Sequence, residues 1–116
     1  MAKQGIFTLP PNIKFGVTAR SNAAYKQDIT ILVDGVVEAV FTGVVGLNND
    51  DLGDKVINSG KGNIEVQIKA NGKDSDMVSA QVTLANKVSF GLVGSEDWND
   101  SDYNDAIVIL NWPVGA

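Results

Sequence analysis

The chain of 116 residues contains no cysteine and no histidine. Without cysteine, no disulfide bond can brace the fold, and the sequence leaves the redox compartment open. Without histidine, the chain lacks the commonest zinc ligand and cannot form a Ser-His-Asp catalytic triad. Any metal ion must therefore be bound by oxygen atoms, and such ligands favour calcium or magnesium.

Basic residues are scarce, and long apolar runs are missing. Lys and Arg number 9 against 14 Asp and Glu, so the formal net charge is −5. Nucleic acids and anionic membranes demand a basic face, so we expect neither nucleic-acid binding nor membrane insertion. The first residues form no apolar segment of signal-peptide length, which predicts a soluble protein made in the cytoplasm without a classical signal peptide. Export by another route, or association with the cell surface, stays open.

Alternation of apolar and polar residues dominates the chain and predicts β-strands. The predicted strands are Ile13–Arg20, Asp28–Asp34, Val36–Thr42, Val56–Asn58, Asn63–Ala70, Met77–Leu84, Val88–Val93 and Ala106–Trp112. Asp34-Gly35 and Asn71-Gly72 are typical of hairpin turns. Because no stretch keeps a helical period, we predict one all-β sandwich domain over residues 1–116. The polar, glycine-rich segment Gly43–Gly53 is predicted to be a surface loop.

The segment between the last two predicted strands is unusually acidic. Its five acidic side chains are Glu96, Asp97, Asp100, Asp102 and Asp105, and Asn104 adds a neutral oxygen. Two anions 4 Å apart repel each other by about 4 kcal/mol at an effective dielectric constant of about 20. A divalent cation would turn this repulsion into attraction, and calcium accepts roughly six to eight oxygen ligands.

The run from Asp100 to Asn104 opens like an EF-hand calcium loop, but the rest of that motif is absent. Asp105 stands where the turn glycine belongs, Asn111 stands where the closing glutamate belongs, and the flanks are predicted strands. We therefore reject an EF-hand. Three interpretations stay open from the residues alone: a solvated acidic turn, a calcium ion that only rigidifies the loop, and calcium that binds a ligand.

Three stretches make the sequence similar to a known family. They are Val93-Gly-Ser-Glu-Asp97, Asp100-Ser-Asp-Tyr-Asn-Asp105 and Ile107-Val-Ile-Leu-Asn-Trp-Pro113. With Gly5–Asn12, Phe15–Ala19, Val56–Gly60 and Asn71–Asp76, they resemble the bacterial two-calcium lectins of the PA-IIL (LecB) type, which bind fucose and mannose. The resemblance spans nearly the whole chain. It implies a non-enzymatic lectin with a compact, jelly-roll-like β-sandwich of about nine antiparallel strands.

The resemblance also implies two calcium ions per site. One ion would be held by Glu96, Asp100, Asp102 and Asp105. The other would be held by Asn22, Asp102, Asn104, Asp105 and the C-terminal carboxylate of a partner subunit. The four acidic ligands and that carboxylate would carry −5 against +4 from two ions, so the site would be near neutral. Such exchange of C-termini requires a homodimer or a homotetramer.

The end of this chain departs from the family pattern. The family usually ends at the glycine that follows Trp-Pro-x, whereas this chain continues to Ala116. Either the carbonyl of Gly115 or the carboxylate of Ala116 would then supply the partner's calcium ligand.

The sugar-binding residues implied by the resemblance are Asn22, Ala23, Ala24, Tyr25, Asp97, Asp100, Asp102, Asn104 and Asp105. Asp97 occupies a position that hydrogen-bonds the sugar in this family. The triplet Ala23-Ala24-Tyr25 occupies positions that tune specificity, and Ala rather than Ser at the first of them implies a preference for mannose, with fucose still bound. Trp98, usually a smaller residue in the family, would lie at the rim of the site.

The acidic segment is also compatible with two other functions. A glycosidase needs paired carboxylates, which the acidic segment has. Carboxylates bound to a metal ion are poor general acids, however, because the metal lowers their proton affinity. The other alternative is a structural calcium-binding adhesion module without sugar binding.

Overall fold

The computed structural model describes residues 3–43, 46–97 and 103–115, and the structural statements below concern these ranges. They form ten β-strands. The strands are β1 Ile6–Thr8, β2 Lys14–Ala23, β3 Gln27–Val33, β4 Val36–Gly43, β5 Gly46–Asn58, β6 Asn63–Ala70, β7 Lys73–Asp74, β8 Asp76–Leu84, β9 Val88–Glu96 and β10 Ala106–Trp112. Within the same ranges, no helix is long and apolar enough to cross a membrane.

The strands form two antiparallel sheets of five strands each. One sheet has the order β1-β6-β3-β4, with β7 paired to β6, and the other has the order β5-β2-β10-β9-β8. The core draws apolar side chains from both sheets, as in a β-sandwich. The predicted all-β sandwich is thus confirmed. The strand number exceeds the expected nine because β7 is a strand of only 2 residues that carries no apolar signal.

Strict alternation places the core on the inner faces of the sheets. In β2, Phe15, Val17 and Ala19 are buried, as their shared face predicts. Ile29 and Ile31 of β3 face them from the other sheet and are fully buried. Burying a side chain of this size contributes about 1.5–3 kcal/mol, so these positions dominate the stability of the sandwich.

Both predicted hairpin turns are confirmed by their backbone angles. Asp34 and Gly35 have φ values of 52° and 81°, and Asn71 and Gly72 have values of 48° and 81°. Two successive positive φ values define the tight turn that matches the twist of the flanking strands. The turns therefore fix the registers of β3 with β4 and of β6 with β7.

The prediction of a surface loop over Gly43–Gly53 is wrong for the described part of this range, which leaves out residues 44 and 45. Gly46–Asn58 is a strand of 13 residues that pairs along β2, from Lys14 opposite Asn58 to Ala23 opposite Gly46. Its Asn, Asp and Gly residues are typical of turns, which hid the strand from a propensity argument. Backbone hydrogen bonds to β2 hold it in place, and a polar composition suits a strand at the edge of a sheet.

The outer face of β8 and β9 is apolar and exposed. Val78, Val82 and Leu84 share one side of β8, as alternation predicts, but they are 46%, 42% and 50% exposed. Leu92 of β9 is 40% exposed, and its Cα pairs with that of Ala80 across the two strands. The alternation in this strand therefore marks an outward-facing apolar surface rather than the core.

Candidate metal and ligand site

The acidic segment joins β9 to β10 at one end of the sandwich. Glu96 is the last residue of β9, and Asp105 directly precedes β10. The backbone N–H of Asp105 donates to the carbonyl of Ser95 over 3.0 Å, and the N–H of Ala106 donates to the Ser95 hydroxyl over 3.1 Å. Ser95 is fully buried. The two ends of the segment are therefore fixed by the scaffold.

Three carboxylates of this segment converge. Oxygen atoms of Glu96, Asp97 and Asp105 all lie within 4.8 Å of one another. Glu96 and Asp105 are only 4% and 6% exposed, so solvent screens their charges poorly. The backbone N–H of Asp97 donates to Oδ2 of Asp105 over 2.8 Å, and this bond closes the cluster.

Crowding of carboxylates changes the protonation of Asp105. Burial, followed by hydrogen bonding with Glu96 and with Asp97, raises the pKa of Asp105 to about 8. Like charges this close disfavour simultaneous ionisation unless a cation neutralises them. Every donor is a hard oxygen, and the cluster is compact enough for one ion to contact several of them. The residues thus fit a calcium ion.

Gly94 allows the segment to lie directly against β9. A Cβ atom at this position would collide with the backbone carbonyl oxygen of Tyr103. Tyr103 itself has a positive φ of 53°, which turns the chain toward Asp105. Sequence reasoning placed Gly94 in the family motif, and the structure supplies the steric reason for glycine there.

Asn22 is brought to the acidic segment from the far end of β2. Its backbone N–H donates to the carbonyl of Asp105 over 2.9 Å, and its Nδ2 donates to the carbonyl of Asn104 over 3.1 Å. The side-chain Oδ1 of Asn22 accepts a hydrogen bond from the N–H of Asn49 over 2.6 Å. Sequence reasoning missed Asn49, because it lies in the strand that was predicted to be a loop.

The three residues after Asn22 connect the two sheets beside the cluster. Ala23 is buried, whereas Ala24 is exposed and Tyr25 is 41% exposed. Tyr25 and Asp97 also line a cleft of about 290 Å³, together with Asn71 and Asp74. Of the predicted specificity residues, Tyr25 thus adjoins Asp97, and Ala23 is turned inward.

Gln27, which sequence reasoning also missed, links this connection to the cluster. It is fully buried, and its Nε2 donates to the carbonyl of Tyr25 and to Oδ2 of Asp97, each over 3.1 Å. In the sequence, Gln27 is in phase with the alternating apolar residues Ile29 and Ile31 of β3, and this is the signal that could have identified it.

The predicted C-terminal ligand is not brought to the site of its own chain. The N–H of Val114 donates to the carbonyl of Lys14 at the start of β2. Asn22 lies at the other end of this strand, about 26 Å away at the usual rise of about 3.3 Å per residue. Gly115 therefore lies far from the cluster. Trp98, Asp100, Asp102 and Ala116, also named in the predictions, lie outside the described residues.

These features define a β-sandwich protein with a cluster of carboxylates at one end whose oxygen atoms fit a cation. Residues 7–114 match the family described as fucose-binding lectin II (PA-IIL), and the chain belongs to this family. The expected resemblance is thereby confirmed. Lectins of this family bind calcium, which agrees with the clustered carboxylates. No curated protein matches the chain in a sequence search.

Solved structures of related lectins superpose closely. A high-affinity mannose-binding lectin of Ralstonia solanacearum is 58% identical, with a TM-score of 0.96 over 98% of this chain and 100% of that one. A Chromobacterium violaceum lectin in complex with α-methyl-fucoside is 58% identical, with a TM-score of 0.95 over 98% and 100%. The C-terminal domain of a Burkholderia cenocepacia lectin is 49% identical, with a TM-score of 0.90 over 99% and 100%.

The family and these relatives decide between a lectin and an enzyme. They are sugar-binding proteins without catalytic activity, so the chain is a lectin and the glycosidase alternative is wrong.

Proposed function

We propose that residues 1–116 act as one calcium-dependent lectin domain that prefers mannose and also binds fucose. The observation that carries the proposal is the convergence of Glu96, Asp97 and Asp105 within 4.8 Å, in a chain of the PA-IIL family. A compact group of carboxylates, two of them buried, is costly by itself and gains stability when a cation binds.

The proposed site holds two calcium ions. Glu96, Asp100, Asp102 and Asp105 would hold one ion, and Asn22, Asp102, Asn104 and Asp105 would hold the other. When bound, the calcium ions supply open coordination positions that neighbouring sugar hydroxyls fill. The contact of Asn22 with Asp105 and Asn104 supports the assignment, because it joins the end of β2 to the acidic segment.

Sugar recognition is assigned to Asp97 and to the triplet Ala23-Ala24-Tyr25. Asp97 lines the cleft together with Tyr25, and its carboxylate is proposed to accept a hydrogen bond from a sugar hydroxyl. Neither Ala23 nor Ala24 offers a hydroxyl group, which supports the preference for mannose. Relatives solved as a mannose-binding lectin and as a fucoside complex support binding of both sugars.

The proposed lectin is at least a homodimer, in which each C-terminus completes the partner's site. The chain's own C-terminal segment is held at Lys14, at the opposite end of β2 from Asn22. A terminal ligand must therefore come from a second copy. The exposed apolar side chains of Val78, Val82, Leu84 and Leu92 form a surface on the same sheet that suits such a partner. Several sites in one assembly then give avidity on glycan-covered surfaces.

Isothermal titration calorimetry with mannose tests the calcium mechanism. Binding is expected in calcium and is expected to disappear after chelation. Asp102→Ala should abolish sugar binding, because Asp102 is assigned to both ions. Asp97→Ala should weaken sugar binding while calcium binding persists. Mannose binding that survives rigorous removal of calcium would refute the mechanism.

A further inference from the structure

Gln27 is a buried polar residue on the otherwise apolar inner face of β3. It is fully buried, and the inward-facing residues that follow it in β3, Ile29 and Ile31, are apolar. An amide in such a place loses its hydration, so it is retained only where its hydrogen bonds compensate. Its partners therefore indicate what the residue does.

The two hydrogen bonds of Gln27 fix the orientation of its amide. Nε2 donates to the carbonyl of Tyr25 and to Oδ2 of Asp97, and both partners are acceptors. The amide oxygen must therefore be the opposite atom, Oε1. Oε1 is buried and has no hydrogen-bond partner among the described residues. In this orientation, Oε1 is left without a hydrogen bond, while Nε2 donates to Asp97.

Gln27 connects three parts of the site. It lies at the start of β3, Tyr25 belongs to the connection that follows β2, and Asp97 directly follows β9. A single NH₂ group therefore ties the connection that carries the predicted specificity residues to the carboxylate that faces the cleft. A hydrogen bond to an ionised carboxylate is among the stronger ones and restricts its rotation.

We propose that Gln27 is a positioning residue that holds the Asp97 carboxylate and the Ala23–Tyr25 connection in the arrangement that receives the sugar. This inference rests on the proposed role of Asp97. Gln27 has no place among the proposed calcium ligands, so its effect should fall on sugar affinity and leave calcium affinity unchanged.

The test replaces the amide by a group of similar length without a donor. In Gln27→Met, mannose affinity measured by calorimetry in saturating calcium is expected to fall about tenfold, the usual effect of losing one hydrogen bond to a charged group. Calcium affinity of the same variant is expected to stay within about twofold of the parent. Gln67→Met is the matched control, because Gln67 lies exposed in the neighbouring strand β6, and it should bind both ligands like the parent.

A double-mutant cycle separates positioning from a general loss of stability. If Gln27 acts through Asp97, the pair Gln27→Met and Asp97→Ala should bind mannose no more weakly than Asp97→Ala alone. Additive losses would overturn the proposal. If Asp97→Ala binds mannose like the parent, the role of Asp97 itself fails. If only Gln27→Met binds like the parent, the positioning role fails while that of Asp97 stands.

A measurement on the intact side chain keeps the test valid if Gln27→Met does not fold. In ¹⁵N spectra, the side-chain NH₂ signal of Gln27 should exchange slowly with solvent in the parent protein. It should shift on addition of mannose to the calcium-loaded protein, and it should exchange faster in Asp97→Ala. A signal that responds to neither change would contradict the proposal.

Discussion

The backbone N–H of Asp97 donates to Oδ2 of Asp105 over 2.8 Å and closes the acidic segment on itself. This bond favours the ionised form of Asp105, whereas burial and the neighbouring Glu96 favour the protonated form. Burial and Glu96 together outweigh the hydrogen bond, as shown by the pKa of Asp105, which rises to about 8. Without a metal ion, a proton on Asp105 therefore reduces the repulsion between the carboxylates, as a bound cation would.

The first prediction concerns pH and stability without calcium. The pKa of Asp105 is about 8 in the folded chain against an ordinary 3.8, so the folded state binds the proton more tightly. The stabilising contribution of that proton is complete below pH 3.8 and is lost as the pH rises through 8. In a chelator, the Tm should fall by several degrees between pH 5 and pH 8, at roughly 4 °C or more per kcal/mol.

Calcium should change this trend, because it binds the ionised carboxylates. In saturating calcium, the Tm measured by calorimetry should no longer fall over the same range. Asp105→Asn is the control: without the titrating group, the chelated protein should show a flatter dependence, and calcium should bind much more weakly. Equal pH profiles for the parent and Asp105→Asn would contradict the assignment.

The second prediction concerns Gly94. In Gly94→Ala, the new methyl group meets the carbonyl of Tyr103 and displaces the segment from β9. Forced packing of this kind costs about 1–3 kcal/mol, so calcium affinity should fall about tenfold or more. Calorimetric titration with calcium measures the loss.

Gly16→Ala is the matched control for this variant. Gly16 lies in the same sheet, and its added methyl group would meet the side chain of Asn111 rather than the acidic segment. It should lower the Tm without changing calcium affinity. If both variants lost calcium affinity to a comparable extent, the cause would be distortion of the whole sheet rather than displacement of the acidic segment.

The third prediction concerns sugar preference. Ala23→Ser adds a hydroxyl at the first specificity position and should shift the ratio of fucose to mannose affinity toward fucose by about tenfold, the effect of one added hydrogen bond. Competition titrations with the two monosaccharides measure the ratio. Ala85→Ser, in the turn between β8 and β9, should leave it unchanged. An unchanged ratio in Ala23→Ser would exclude this position as a determinant.

The fourth prediction concerns the exposed apolar surface. Leu92→Lys places a charge among Val78, Val82 and the other apolar side chains of this surface. Burial of an unpaired charge is costly, so the proposed dimer should dissociate at concentrations at least about a hundredfold higher than for the parent. Sedimentation velocity measures the association.

The same variant should also weaken calcium binding, because each site would lose the C-terminus of its partner. Val40→Lys is the control, since Val40 is 58% exposed on the outer face of the other sheet. It should remain dimeric and keep its calcium affinity. A monomeric Leu92→Lys variant with unchanged calcium affinity would show that the C-terminus completes no partner site.

The fold could be predicted largely from local sequence. Alternation placed Phe15, Val17 and Ala19 on one inner face, and the pairs Asp34-Gly35 and Asn71-Gly72 marked two turns, because each signal depends only on neighbouring residues. Of strand β5, only the end at Val56–Asn58 was predicted, since its polar residues gain their strand conformation from pairing with β2. That pairing joins residues far apart in sequence, so no local sequence pattern predicts it.

The sequence by itself determined the chemistry of this lectin: oxygen ligands, because the chain has neither cysteine nor histidine, and a concentration of carboxylates between two strands. Only the tertiary structure decided which of these groups meet. It brought Asn22 to Asp105, enclosed Gln27 beneath Asp97, and held the C-terminal segment at Lys14, far from its own site. The composition decides which metal-binding atoms a chain can offer. Sheet pairing and burial decide where those atoms lie and which charged groups come close together.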